Sequence, residues 1–189
     1  MIGAEELERV ALVDGTSGGT RTATAEAFER LTAARLTRAY RLAGIVLGDP
    51  LEAQDAVHDA ALHAWHHWRE LRDPARFDAW FDRILVNQCR DRSRRRRLLP
   101  VALPDPPDPP AQDLFAGTAE RDALDRALAD LPADQRLVLA LRFVEDLSVP
   151  DIAARTGLPE GTVKSRVHRG LSALRASDEA GERAAGVAR

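Results

Sequence analysis

The sequence predicts an all-α fold: two helical domains joined by a Pro-rich linker, the second containing a helix-turn-helix. Three observations lead there. Apolar residues recur at spacings of three and four, strict alternation is absent, and Val/Ile-rich strand runs are missing. Six of the eleven prolines fall between Pro100 and Pro110, in PVALPDPPDPP. Near the C-terminal end, a short helical pattern, a glycine and a basic helical pattern follow one another in DIAARTGLPEGTVKSRVHRGLSALR. A chain of 189 residues with 44% apolar side chains is long enough for two small cores.

The periodicity places helices over 25–47, 51–69, 75–97, 119–130, 133–144, 149–156 and 160–176. Asp49-Pro50 separates the first two. Leu131-Pro132 opens a later one, with proline in its first turn. Ser148-Val-Pro-Asp151 reads as a capping box with Asp at its last position. Gly157 supplies the positive φ that a tight turn between helices requires. The expected organisation is a loose extension over 1–25, a first domain over 26–97, a linker over 98–118, a second domain over 119–176 and a loose tail over 177–189. Proline fixes φ and removes backbone donors, so the linker is expected to be extended. At about 3.1 Å per residue it would span on the order of 60 Å, enough to hold the two domains apart.

The net charge of −3 hides an asymmetry. Residues 28–97 carry +4, residues 98–117 carry −3 and residues 118–175 are neutral. No apolar run approaches the roughly 20 residues of a membrane span, so no membrane insertion is expected. Glu5, Glu6 and Glu8 give the N-terminus the wrong charge for a secretory signal. The lone Cys89 excludes an internal disulfide and a cysteine-based zinc cluster. A cytoplasmic chain is expected.

In the second domain, Val167, Gly170, Leu171 and Leu174 lie within about 80° of Val163 on a helical wheel and with it form the buried face. Gly161, Thr162, Lys164, Ser165, Arg166, His168 and Arg169 make up the short or basic polar surface. From Glu160 to Arg175 one acid stands against Lys164, Arg166, Arg169 and Arg175. Arg can pair bidentately with guanine, while Ser and Thr reach phosphates. A solvated basic face alone would say little; joined to a glycine turn and a preceding short helix, it points to a major groove.

In the first domain, Ala53, Val57, Ala60, Ala61, Ala64 and Trp68 form the core side of helix 51–69. On the reverse side Leu62 stands among Asp55, Asp59 and His66, flanked by His58, which outlines a small docking surface. Helix 75–97 has an apolar stripe of Phe77, Trp80, Phe81 and Ile84. Beside it run Arg83, Asn87, Arg90 and Arg94, spaced four, three and four, and the helix ends in RDRSRRRR. Arg in a last turn complements the helix dipole, but six in eight positions exceed what a cap needs. A basic ridge beside aromatic residues suits a phosphate backbone with exposed bases.

With these residues in view, the chain resembles bacterial RNA polymerase sigma factors of the extracytoplasmic-function group. EAQDAVHDAALHAW (52–65) is similar to the group's core-polymerase-binding helix. RFDAWFDRILVNQCRDRSRRRR (76–97) resembles its −10 recognition and melting segment. LPADQRLVLALRFVEDLSVPDIAARTGLPEGTVKSRVHRGLSALR (131–175) resembles its −35-binding domain. The resemblance implies that Asp55, His58, Asp59 and Leu62 bind core RNA polymerase, with His58 standing where the group usually has Gln. It implies −10 DNA contacts by Arg83, Asn87, Arg90 and Arg94, and capture of a flipped base by the loop from His66 to Arg76. It implies −35 contacts by Thr162, Lys164, Ser165, Arg166, His168 and Arg169. Core RNA polymerase, promoter DNA and an anti-sigma factor are the implied partners; no cofactor, metal or catalytic residue is implied.

Two rival readings find less support in the residues. A helix-turn-helix regulator acting without polymerase would need a receiver or ligand domain, and residues 28–97 show no βα alternation. His58-Asp59 echoes the pair of HD phosphohydrolases, but no histidine precedes His58. His63 and His67, four apart on a helix, could hold a metal, yet no carboxylate partner is apparent beside them.

Overall fold

The computed structural model describes residues 18–98 and 119–187, and the linker lies outside the described residues. The described residues form seven α-helices and no strand: α1 (Gly18–Leu47), α2 (Pro50–His66), α3 (Phe77–Leu98), α4 (Ala119–Ala129), α5 (Ala133–Phe143), α6 (Val149–Thr156) and α7 (Glu160–Val187). Two single 3-10 turns, Trp68–Glu70 and Pro74–Arg76, connect α2 to α3. The all-α reading holds, with differences at the ends. The first helix begins at Gly18 rather than 25, and the last continues to Val187, through the stretch expected to be a loose tail.

Local chemistry sets most boundaries. The Asp49 carboxylate accepts from Leu51 N at 2.9 Å and Glu52 N at 3.1 Å, so Asp49 caps α2 with Pro50 in the first turn. Asp73 caps the Pro74 turn in the same way, accepting from Ala75 N at 3.0 Å. Pro132 proves to be the N-cap of α5 rather than a first-turn residue; its carbonyl accepts from Gln135 and Arg136 N. Ser148 caps α6, accepting from Asp151 N at 3.3 Å and donating to Asp151 Oδ2 at 2.5 Å. The reciprocal bond of this capping box thus runs between side chains. Gly157 ends α6 at φ 69°, as the turn demands.

α1, α2 and α3 form one bundle around Phe28, Leu42, Val46, Val57, Phe77, Phe81 and Leu85. Phe28 meets Trp65, Trp68 and Phe77 edge-on at centroid distances of 5.1, 5.3 and 6.1 Å. α5, α6 and α7 form the second bundle around Leu137, Leu141, Ile152 and Val163. The two bundles do not stand apart: α1 packs on α5, α3 on α6, and their buried residues join in one cluster.

Candidate nucleic-acid and protein interfaces

Capping by Asp49 fixes the rotation of α2. Ala53, Ala56, Val57, Ala60, Ala61 and Ala64 turn inward, while Asp55, Asp59 and Leu62 are exposed. His58 is half-buried between these faces, and its Nε2 is buried without a hydrogen-bond partner. The structure therefore brings the four α2 residues to one side. It adds one that sequence reasoning missed. Arg92 of α3 reaches across to the same carboxylates, with Nη1 2.9 Å from Glu52 Oε2 and 3.7 Å from Asp55 Oδ2. Its Nη2 lies 2.5 Å from Asp59 Oδ2. These contacts raise the Arg92 pKa even though burial alone would lower it. A helical wheel holds the signal: Arg92 lies about 200° from both Arg90 and Arg94, so it cannot share their ridge.

On the ridge itself, Arg83, Asn87 and Arg94 are exposed. Arg90 is half-buried, and its Nη1 donates to Thr156 O of α6 at 2.7 Å. Phe77 and Phe81 anchor the underside of α3 with their rings stacked at 5.6 Å. The helix thus presents its basic edge from a rigid aromatic base. The loop ahead of it, residues 66–76, is built from the two 3-10 turns, with Trp68 packed on the core and Arg69, Glu70 and Arg72–Arg76 outside.

In the helix-turn-helix, Val163 is fully buried and Gly170 meets α5, while Lys164, Ser165, His168 and Arg169 are exposed and Thr162 is half-buried. Ser165 Oγ donates to Thr162 O at 3.0 Å, and Arg169 donates to Ser165 O and Oγ, both at 3.3 Å. Arg166 is set apart from these five. Its Nη2 donates to Asp134 Oδ2 of α5 at 3.0 Å, and its Nη1 is buried without a partner. Arg166 lines a crevice together with Asn87, Arg90 and Arg94 of α3. Residues expected to meet two separate DNA elements therefore line one crevice.

Among the described residues no group of three or more His, Cys, Asp or Glu converges to hold a metal. His63 and His67 stack at 4.2 Å, and His67 Nδ1 is bonded to His63 O. Cys89 is wholly buried, and burial pushes its thiol up to about 12, against a weaker opposing pull from Arg92. Among the described residues no helix is long and apolar enough to cross a membrane.

Comparison with known proteins agrees with this geometry. The family model for sigma-70 region 2 matches residues 28–98, and that for sigma-70 region 4 matches residues 121–174. The RNA polymerase sigma-E factor of Streptomyces coelicolor is 33% identical over 148 residues, covering 78% of this chain and 84% of that protein. The ECF RNA polymerase sigma factor SigM of Mycobacterium tuberculosis is 35% identical over 148 residues, covering 78% and 75%. Among solved structures, CnrH in complex with the cytosolic domain of CnrY aligns with a TM-score of 0.59 and 27% identity, over 85% of this chain and 97% of that one. The sigma factor RpoE of Bartonella quintana, in complex with the anti-sigma factor NepR, shares the fold with a TM-score of 0.58 at 23% identity, over 86% of this chain and 98% of that one. Both halves of the helical architecture and both sets of relatives agree: the chain belongs to the extracytoplasmic-function group of RNA polymerase sigma factors, the subunits that direct the polymerase to promoters.

Proposed function

We propose that the α2 face bearing Asp55, His58, Asp59 and Leu62 docks this sigma factor on core RNA polymerase. The observation that supports it is the cluster of exposed carboxylates around an exposed leucine, held in register by Arg92. Carboxylates around an apolar centre suit a basic partner helix. The α3 ridge of Arg83, Asn87, Arg90 and Arg94 then holds the melted −10 strand through its phosphates, and the loop before it captures an unstacked base. Thr162, Lys164, Ser165, His168 and Arg169, with Arg166 once freed from Asp134, read the −35 duplex. Unstacking costs a few kcal/mol, which the phosphate and base contacts offset. The chain makes and breaks no bond in this scheme, acts in the cytoplasm, and is held in check by an anti-sigma factor, as RpoE is bound by NepR.

The deciding experiment is in vitro transcription from a genomic library with this chain added to sigma-free bacterial core polymerase. Defined start sites sharing upstream elements are expected. Asp55→Arg with Asp59→Arg abolishes initiation and core binding while helicity is retained; unchanged core affinity would remove the α2 face from the mechanism. DNA binding without initiation, with a matched core, would favour a helix-turn-helix regulator that is no polymerase subunit.

A further inference from the structure

Three carboxylates of α2 share one cation. Asp55 lies about one turn from both Glu52 and Asp59, and like charges at such spacings repel. Arg92 of α3 offsets the repulsion by meeting Glu52, Asp55 and Asp59 together, at 2.9, 3.7 and 2.5 Å. Both of its terminal nitrogens are spent on α2, and its Nε is buried without a hydrogen-bond partner. The contacts are one-sided. Arg92 meets Oε2 of Glu52 and Oδ2 of each aspartate, and leaves Glu52 Oε1 and both Oδ1 atoms to other partners. The carboxylate side chains are 45%, 67% and 50% exposed, whereas that of Arg92 is 19% exposed. The cation is thus the enclosed member of the cluster, and the acceptors are the open ones.

The open face of α2 also runs further than Asp55, His58, Asp59 and Leu62. On a helical wheel Leu51, Asp55, His58 and Leu62 fall within about 60° of one another. Leu51 is 74% exposed and Leu62 37%, so the stripe has an open leucine at each end. Glu52 and Asp59 lie about 80–100° from Leu51, along the flank that Arg92 reaches. We infer that Arg92 is a positioning residue for polymerase docking, and that Leu51 and Glu52 carry the docking stripe into the first turn of α2. The surface that fits it is a basic one with an apolar strip about 16 Å long. This rests on the proposed α2 interface and adds to it a residue from a second helix. Arg92 acts through the carboxylates: it holds their acceptor oxygens in place, so less side-chain freedom is lost when the partner arrives.

Charge counting alone predicts the opposite effect. Removing Arg92 makes the face one unit more negative, which by itself would tighten a complex with a basic partner and steepen its salt dependence. Losing the positioning loosens the complex, because three mutually repelling carboxylates must be ordered at each encounter. The two accounts differ in sign, so the affinity of one variant separates them.

The test titrates the full chain, labelled at its N-terminus, with sigma-free bacterial core polymerase, reading affinity by fluorescence anisotropy and folding by helicity. Arg92→Ala should weaken core binding about fivefold. Arg92→Lys keeps the charge but lacks the planar fork, and should recover less than half of that loss. In a background of Glu52→Gln with Asp59→Asn, Arg92→Ala should have little further effect on core binding, since the carboxylates it holds most closely are gone; a purely structural role would persist there. Leu51→Ser, at a position already open to water, should weaken core binding by a factor of about five. Unchanged or tighter binding by a folded Arg92→Ala chain would overturn the positioning role. If that variant does not fold, full affinity in Arg92→Lys would overturn it instead. Unchanged affinity in Leu51→Ser would remove the extension of the stripe. Failure of the α2 reading itself looks different: Asp55→Arg with Asp59→Arg would then leave core binding intact.

Discussion

Replacing Gly170 by alanine sets two known effects against each other, and the structure decides the sign. Gly170 lies on the buried face of α7, against Leu139 of α5. An added Cβ would stand 2.8 Å from Leu139 Cδ1, 3.2 Å from Cγ and 3.5 Å from Cδ2. Leu139 is only 4% exposed, so it is enclosed and cannot swing freely away. Overpacking of this kind costs about 1–3 kcal/mol. Against it, alanine gains about 1 kcal/mol over glycine in a helix interior. The steric cost should win, leaving a net loss of about 1 kcal/mol. Gly161 on the same helix is the control, because it is exposed and an added Cβ meets nothing within 4 Å. Alanine there should stabilise by up to about 1 kcal/mol, the opposite sign. Urea unfolding of the full chain, followed by helicity, measures both. Because Lys164, Ser165 and Arg169 project from the turns just before Gly170, a shift of α7 should also weaken −35 duplex binding in the Gly170 variant. If Gly170→Ala raised the midpoint as Gly161→Ala does, Leu139 would have yielded. The α5–α7 contact would then not be what aims the recognition helix.

Three further outcomes follow from named contacts. A double-mutant cycle of Arg92→Ala with Asp59→Asn should show a coupling of about 0.5–1 kcal/mol, because Asp59 is half-exposed and solvent screens the pair; a coupling of zero would make Arg92 irrelevant to the α2 face. Native Cys89 should resist thiol reagents at pH 8 and react once the chain is unfolded in urea, since burial holds its pKa at about 12; ready reaction in the native chain would contradict that burial. The Asp151 carboxyl should titrate below the ordinary aspartate range, because the Ser148 hydroxyl donates to it, which with Arg155 nearby outweighs the opposing effect of desolvation. A depressed carboxyl stabilises above its unfolded pKa of about 3.9 and loses that contribution as pH falls through the folded value. Carbon NMR should therefore show its titration moving upward in Ser148→Ala, and no movement would refute the capping-box bond.

Much of the fold was legible because the determining interactions are local. The spacing of Ala53, Val57, Ala60, Ala61 and Ala64 demands one buried face whatever packs on it. Ser148, Gly157 and Asp49 act within three or four residues of themselves, so their caps and turns can be read from neighbours alone. The ends of α1 and α7 differ from the periodicity reading for the same reason: Gly, Thr and Ala-rich stretches carry weak local signals, and the helices continue through them. Pro132 shows the limit of resolution, since proline is compatible with both the cap and the first turn.

The site divides along the same line. The acidic α2 face, the α3 ridge and the exposed face of α7 are properties of single helices, and their residues could be listed from periodicity. Residue order alone determined that this chain carries two helical units, a helix-turn-helix and separate basic and acidic faces, because each follows from side-chain spacing along one helix. Only the tertiary structure could decide that Arg92 turns to Glu52 and Asp59 while Arg90 and Arg94 do not, that Arg166 faces Asp134, and that Glu145 and Arg155 close on Arg35 and Asp82. Those pairs join residues 32 to 110 positions apart. Their formation depends on how whole bundles pack and exclude water, and no local pattern encodes that.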